Sequence, residues 1–260
     1  MKQVAWVTGA SSGIGEEICK QLAAKGIQLI LSARNEAKLE TLRQSLPAAN
    51  DHLIIPLDLE NTSDITTMVK SVLEKSGRID FLYNVSGLSQ RSVAAETPLE
   101  VDRKIMEINY FGTIALTKAV LPYMQAQKSG HIIVISSIAG KFGFYLRSAY
   151  SASKHALHGF FESLLLEEAP NNIHVTIACP GKINTPISMS ALNSKGESHG
   201  EMDHNQATGM PVDECVRQLL NAVAKRKKEV LIGNKEIKAV TLKRFFPKLF
   251  WKIIAKQSAT

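Results

Sequence analysis

Seven apolar runs of strand length recur along the chain: Val4–Val7, Ile27–Leu31, Leu53–Ile55, Ile79–Tyr83, Ile132–Ile135, His174–Ala178 and Val230–Ile232. Between them lie segments whose apolar residues recur at helical spacing. Strands that are apolar along their whole length are buried on both faces, and their alternation with helices marks a parallel sheet covered on both sides. The expectation is a doubly wound α/β fold of about seven strands in a single domain over residues 1–260, with ligands at the carboxyl ends of the strands. A chain of 260 residues buries a full core of this kind.

The first run ends in Thr8-Gly9-Ala10-Ser11-Ser12-Gly13-Ile14-Gly15 and passes into a helical pattern from Glu16 to Ala24. Glycines let backbone approach a pyrophosphate closely, and the helix that follows offers unpaired N–H groups and a positive dipole end. A glycine-rich turn after the first strand and before a helix is the context of a dinucleotide fingerprint, although the spacing Gly-x-x-x-Gly-x-Gly departs from the commoner Gly-x-Gly-x-x-Gly. At the end of the second run, Leu31-Ser32-Ala33-Arg34 has no carboxylate for a ribose 2′-hydroxyl. Arg34 presents instead a planar fork suited to a 2′-phosphate, which points to NADP (NADPH) rather than NAD.

Tyr150 and Lys154 are four residues apart, one turn of a helix, and Ser137 lies thirteen residues before the tyrosine. A tyrosine of ordinary pKa, about 10, carries protons poorly at neutral pH, and a neighbouring ammonium lowers that value. Tyr-x-x-x-Lys also recurs in amphipathic helices with no chemistry. Only its place in the rest of the chain gives it weight.

Thr8–Gly15, Asp58-Leu59, Asn84-Val85-Ser86-Gly87, Asn109, Ser136-Ser137, Tyr150-x-x-x-Lys154 and Pro180-Gly181 together resemble the successive motifs of the short-chain dehydrogenase/reductase family, in order, over residues 1 to about 185. Two stretches, Gly87–Ser92 and Ala152–Phe161, resemble one subgroup of that family. The resemblance implies an oxidoreductase interconverting a secondary alcohol and a carbonyl. It makes Tyr150 the acid/base, Lys154 the group that holds the nicotinamide ribose and lowers the tyrosine's pKa, Ser137 the partner of the substrate oxygen and Asn109 the holder of a water. It also implies cofactor contacts from Gly9, Ser11, Ser12, Gly13, Ile14, Gly15, Arg34, Asp58 (at the adenine edge), Leu59, Asn84, Gly87, Tyr150, Lys154, Pro180, Gly181, Ile183 and Thr185, and a homodimer or homotetramer built through the long helices. The family has a second asparagine where Val85 stands, so packing around the fourth strand is expected to differ. A rival reading is a dinucleotide-binding redox sensor without turnover, against which the intact Ser137, Tyr150 and Lys154 argue.

Other segments carry less. Thr97-Pro98-Leu99-Glu100 reads as N-cap, first-turn proline and third-position glutamate of a long helix through Asn109 towards Met124. Residues 186–210 read as a mobile substrate lid, with Met189, Leu192, Met202 and Met210 lining an apolar pocket for a lipid-, steroid- or aromatic-like substrate. His199, Glu201, Asp203 and His204 in it read as solvated, with no metal assigned. The net charge of +7 arises beyond residue 224: Lys225–Thr260 holds eleven Lys and Arg against two Glu, so the preceding residues give no sign of a nucleic-acid site. Within 244–260, Phe246, Leu249, Phe250, Ile253 and Ile254 alternate with Arg244, Lys248, Lys252 and Lys256 as a basic amphipathic helix. Peripheral membrane contact and packing on its own domain or a partner subunit both fit that pattern. Three scattered cysteines and no signal-like apolar segment fit a cytoplasmic protein with reduced thiols.

Overall fold

The computed structural model describes residues 2–256. Strands β1 (Val4–Thr8), β2 (Gln28–Ser32), β3 (Leu53–Ile54), β4 (Phe81–Asn84), β5 (Gly130–Ile135), β6 (Ile173–Pro180) and β7 (Glu229–Ile232) form one sheet in the order β3-β2-β1-β4-β5-β6-β7. Every neighbouring pair is parallel. These are the seven runs read from the sequence, so the doubly wound fold is borne out. The helices are α1 (Gly13–Ala23), α2 (Glu36–Ser45), α3 (Ile65–Ser76), α4 (Leu99–Met106), α5 (Gly112–Gln127), α6 (Ser148–Glu167), α7 (His204–Ala207), α8 (Val212–Ala224), α9 (Lys238–Phe245) and α10 (Pro247–Ile254).

Side chains alternate across a strand, so each central strand feeds two cores. Ala5 and Val7 of β1 join Ile18 of α1, Leu39 of α2 and Leu219 of α8 on one face. Val4 and Trp6 join Val69 of α3, Leu116 of α5 and Phe161 of α6 on the other. Trp6, Leu82 and Phe161 are fully buried, and each contributes about 2–3 kcal/mol of transfer free energy. Cys19, Cys179 and Cys215 are free and buried, packing as small apolar groups. Because β1 lies between β2 and β4, successive crossovers diverge there. They leave a crevice at the carboxyl ends of β1 and β4.

Two local expectations are corrected. Pro98, not Thr97, occupies the position before α4, and no side chain caps that end. Thr97 turns its hydroxyl to the Val93 carbonyl at 2.9 Å and to Ser92 Oγ at 2.7 Å instead. The long helix itself forms, but α4 and α5 are joined through a π-helical turn, Glu107–Phe111. The basic tail is not one helix. Helical continuity fails at Phe246, because Pro247 disfavours helical backbone in the residue before it, and α9 ends there with φ −133° and ψ 59°. The last residues of the expected 244–260 helix, 257–260, lie outside the described residues.

Candidate active site

The glycine turn opens the crevice. Gly9, with φ +65°, takes the left-handed conformation at the end of β1, and a Cβ there would meet Ser86 N at 3.0 Å. Gly13 and Gly15 lie within the first turn of α1, which begins earlier than the sequence pattern indicates. A Cβ on Gly15 would overlap the Gly9 carbonyl oxygen, so only glycine lets α1 press against the turn. Ser12 precedes α1 in extended backbone and its side chain makes no capping bond. The first amides of α1 are therefore left for a ligand, and the cradle fits a pyrophosphate.

On the other side of the crevice, Thr8 holds the loop in which Val85 stands. Its Oγ1 accepts from Val85 N at 2.9 Å and Ser86 N at 3.2 Å, pinning the loop after β4. Asn84 Nδ2 donates to Thr117 Oγ1 at 3.0 Å and ties β4 to α5. A cleft of about 480 Å³ results. It brings together Gly9, Ser12, Gly13, Ile14, Gly15, Gly87, Ser137, Tyr150, Lys154, Pro180, Gly181, Ile183 and Thr185. The remaining candidates do not line it. Ser11 is half-buried in the turn, Arg34 is exposed beyond β2, and Asn84 and Asn109 are buried behind the wall. Asp58 is exposed and its Oδ1 accepts from Glu60 N at 3.0 Å, a local turn bond, while Leu59 is buried.

Tyr150 and Lys154 lie in the first two turns of α6, 6% and 3% exposed. Lys154 Nζ stands 5.7 Å from the Tyr150 ring centre and donates to the Ile135 carbonyl at 2.8 Å. Burial brings the Lys154 pKa down to about 8. Ser137, two residues beyond β5, accepts from Ala139 N at 3.1 Å and donates to the Pro180 carbonyl at 3.4 Å, within reach of the Tyr150 phenol. The sequence-based expectation that the lysine ammonium depresses the phenol is corrected. Burial raises the Tyr150 pKa above its ordinary value, and Arg147, the Ser137 hydrogen bond and Arg91 oppose that rise. The ammonium is directed at the Ile135 carbonyl, and the arginines supply the positive field.

Asn109, wholly buried in the π-helical turn, holds the loop after β4 against α6. Its Oδ1 accepts from Leu88 N at 2.7 Å, and its Nδ2 donates to Leu88 O and to Ser153 Oγ, both at 2.9 Å. Gln90 does similar work and escaped the sequence reading as a site residue. Its Oε1 accepts from the amides of Ala149 and Tyr150 at 2.8 and 3.3 Å, so a side chain from the β4–α4 loop caps the helix that carries the tyrosine. Lys38, in the first turn of α2, lines the cleft and was also missed.

The segment 186–210 departs most from expectation. Asp203 is not solvated: it is buried, ion-paired with Arg91 and reached by Arg147. Of the four apolar residues assigned to a pocket there, only Met189 lines the cleft. Leu192 packs with Leu88 and Ile105, Met210 belongs to the core on the α1 face, and Met202 is exposed. The apolar pocket lies elsewhere. About 800 Å³ in volume, it adjoins the cleft through Ser137, Arg147, Gly181 and Gln206. Its walls are Phe142 and Phe144 after β5, Leu242 of α9, Phe246 at the break, and Ile253 and Ile254 of α10.

A doubly wound parallel sheet, with a glycine turn after β1 and a serine, tyrosine and lysine converging at its switch point, defines an oxidoreductase of the dinucleotide-binding α/β class. Residues 3–196 match the family model described as short chain dehydrogenase, and the chain belongs to the short-chain dehydrogenase/reductase family. The subgroup resembled by Gly87–Ser92 and Ala152–Phe161 is that of dehydrogenase/reductase member 7. The chain is 40% identical over 97% of its length to Dehydrogenase/reductase SDR family member 7B of Xenopus laevis, covering 80% of that protein. It is 41% identical to the Mus musculus protein of the same name, with the same coverage of each chain. A short-chain dehydrogenase of Streptomyces avermitilis superposes with a TM-score of 0.84 at 28% identity, covering 99% of this chain and 98% of that one. The fold is shared also with a family member from Burkholderia phymatum solved in complex with NAD, at a TM-score of 0.85, 21% identity and 95% coverage of each chain.

Proposed function

We propose that the protein interconverts a secondary alcohol and a carbonyl with NADP(H), Tyr150 serving as acid and base. The observation that carries the reading is the convergence of Ser137, Tyr150 and Lys154 on the same cleft as the glycine cradle. The first amides of α1 and the glycine turn would hold the pyrophosphate, and Ile183 and Thr185 the nicotinamide end. The bound nicotinamide supplies the hydride in reduction and accepts it in oxidation. Everything else falls to the chain's own side chains. In reduction the Tyr150 hydroxyl gives its proton to the oxygen of the carbonyl while the Ser137 hydroxyl holds that oxygen as charge develops on it. The raised pKa of the buried phenol keeps it protonated at neutral pH, ready to act as acid. In oxidation the phenolate takes the alcohol proton, a state favoured by Arg147 and Arg91. Lys154, fixed by the Ile135 carbonyl, holds a ribose hydroxyl beside Tyr150.

Arg34 and Lys38, the cations at and beyond the rim of the cleft, support the 2′-phosphate of NADP over NAD. The aromatic and aliphatic pocket beyond Ser137 supports an apolar substrate of chain or ring form. Phe111 and Leu166, exposed on the long helices, support assembly into a homo-oligomer through them. The test is titration with NADPH and NADH by fluorescence, followed by a panel of apolar ketones and alcohols, with wild type and Tyr150→Phe. Turnover in wild type, lost roughly 10²–10⁴-fold in the variant while NADPH affinity is kept, bears out the assignment. Tight NADPH binding with no turnover across the panel overturns it in favour of a sensor.

A further inference from the structure

The C-terminal helices have a second surface besides the wall they give the pocket. Phe250 of α10 is buried edge-to-face against Phe142, with ring centres 5.0 Å apart, and Ile254 packs beside it. At a rotation of 100° per residue, the side of α10 opposite Phe250 carries Lys248 and Lys252. Leu249 and Ile253 flank these lysines on one side and Trp251 on the other. All are exposed, Trp251 at 55% and Leu249 at 49%, and Phe245 and Phe246 continue the apolar rim across the break from α9 at 65% and 62%. From Lys238 to Lys256 the chain has six Lys and Arg and no acidic residue.

We infer that this face docks the protein on an anionic lipid bilayer, with Lys248, Lys252 and Arg244 at the headgroups and Trp251, Leu249 and Phe245 wedged among them. Lysines in line with tryptophan and aliphatic side chains match a bilayer surface, where charge and apolar area are satisfied at adjacent depths. A second copy is a poorer occupant. A two-fold contact sets the patch against itself and gathers Lys248 and Lys252 of both copies into one interface with no acidic partner. Among the described residues no helix is long and apolar enough to cross a membrane. Phe246 and Ile253 belong both to the exposed rim and to the pocket wall. Docking therefore places the pocket mouth at the bilayer, an entry route for an apolar substrate. That route rests on the proposed function; the docking does not.

The test reads docking without turnover. The chain has two tryptophans, and Trp6 is wholly buried, so any change of emission on binding reports Trp251. The full chain is mixed with phosphatidylcholine vesicles with and without phosphatidylglycerol, then followed by flotation and by emission. Expected are flotation and a blue shift with the anionic vesicles alone, both weakened by salt. Neutralising two surface lysines in Lys248→Gln/Lys252→Gln weakens binding about thirtyfold. Leu249→Glu, at an exposed position clear of the pocket wall, abolishes flotation while turnover of a soluble carbonyl is kept. Absence of both flotation and blue shift overturns the inference. So does equal binding to neutral vesicles. A blue shift that grows with protein concentration in the absence of lipid also overturns it, and assigns the face to a second copy.

Discussion

Asp203 and Arg91 lie 112 residues apart in the chain and form a buried ion pair, Arg91 Nε donating to Asp203 Oδ1 at 3.1 Å. Arg147 approaches the other carboxylate oxygen at 3.4 Å. The pair fastens segment 186–210 to the loop after β4 and to the start of α6, three residues from Tyr150. Removing one member of a buried pair leaves an uncompensated charge, so Asp203→Asn is expected to cost about 3 kcal/mol, read from urea midpoints. It also frees two guanidinium groups beside the phenol, so the alkaline rise of alcohol oxidation shifts to lower pH. An unchanged midpoint together with an unchanged pH profile would sink both expectations.

Gly15 is the tightest point of the cradle. Gly15→Ala sets a methyl group into the Gly9 carbonyl oxygen, and relief requires α1 or the turn to move. The expected outcome is a loss of about 1–3 kcal/mol of stability and at least a tenfold weaker affinity for dinucleotide. Calorimetry of thermal unfolding with and without NADPH measures both.

Arg34 and Lys38 separate the two cofactors. Arg34→Ala and Lys38→Ala are each expected to weaken NADPH about tenfold, the worth of a charge-assisted hydrogen bond, and to change NADH by less than about twofold. Equal weakening of both cofactors by either variant, measured by fluorescence titration, would remove the 2′-phosphate assignment.

His131 of β5 is expected to contribute to acid stability. It is buried, 2.8 Å from Thr176 Oγ1, and burial, with the charges of His174 and Arg226 adding, pushes its pKa down to about 4. In the unfolded chain the value returns to about 6.5, so between the two the unfolded state binds the proton and the folded state does not. Stability is complete above about pH 6.5 and falls as pH drops towards 4, by on the order of 3 kcal/mol from this residue. His131→Gln, whose amide can still meet Thr176, is expected to flatten that part of the curve. A parallel curve for the variant, from urea unfolding at several pH values, would place the titration elsewhere.

Much of the site is legible in the chain because it is local. The glycine turn lies within eight residues, Thr8–Gly15, and Tyr150 and Lys154 are one helical turn apart. What escaped depends on contacts over long separations. Gln90 caps α6 from about 60 residues away, and no spacing rule joins them. Asp203 looked like any polar loop residue because its partners, Arg91 and Arg147, come from other elements. The tail's apolar stripe was visible, but Pro247 divides it, and the resulting bend makes Phe246 and Ile253 part of a pocket wall.

By itself the sequence determined the strands and their succession along the chain, the two-sided cover of the sheet, and the short-range constellation at its switch point. Hydrophobic period and glycine placement are properties of neighbouring residues, and they act before any tertiary contact forms. Only the tertiary structure decided the sign of the Tyr150 shift. It also decided which of the apolar residues face the substrate pocket and which charges neutralise Asp203. Those outcomes depend on burial and on distances between elements remote in the chain; at Tyr150 desolvation outweighs the opposing charges of Arg147 and Arg91.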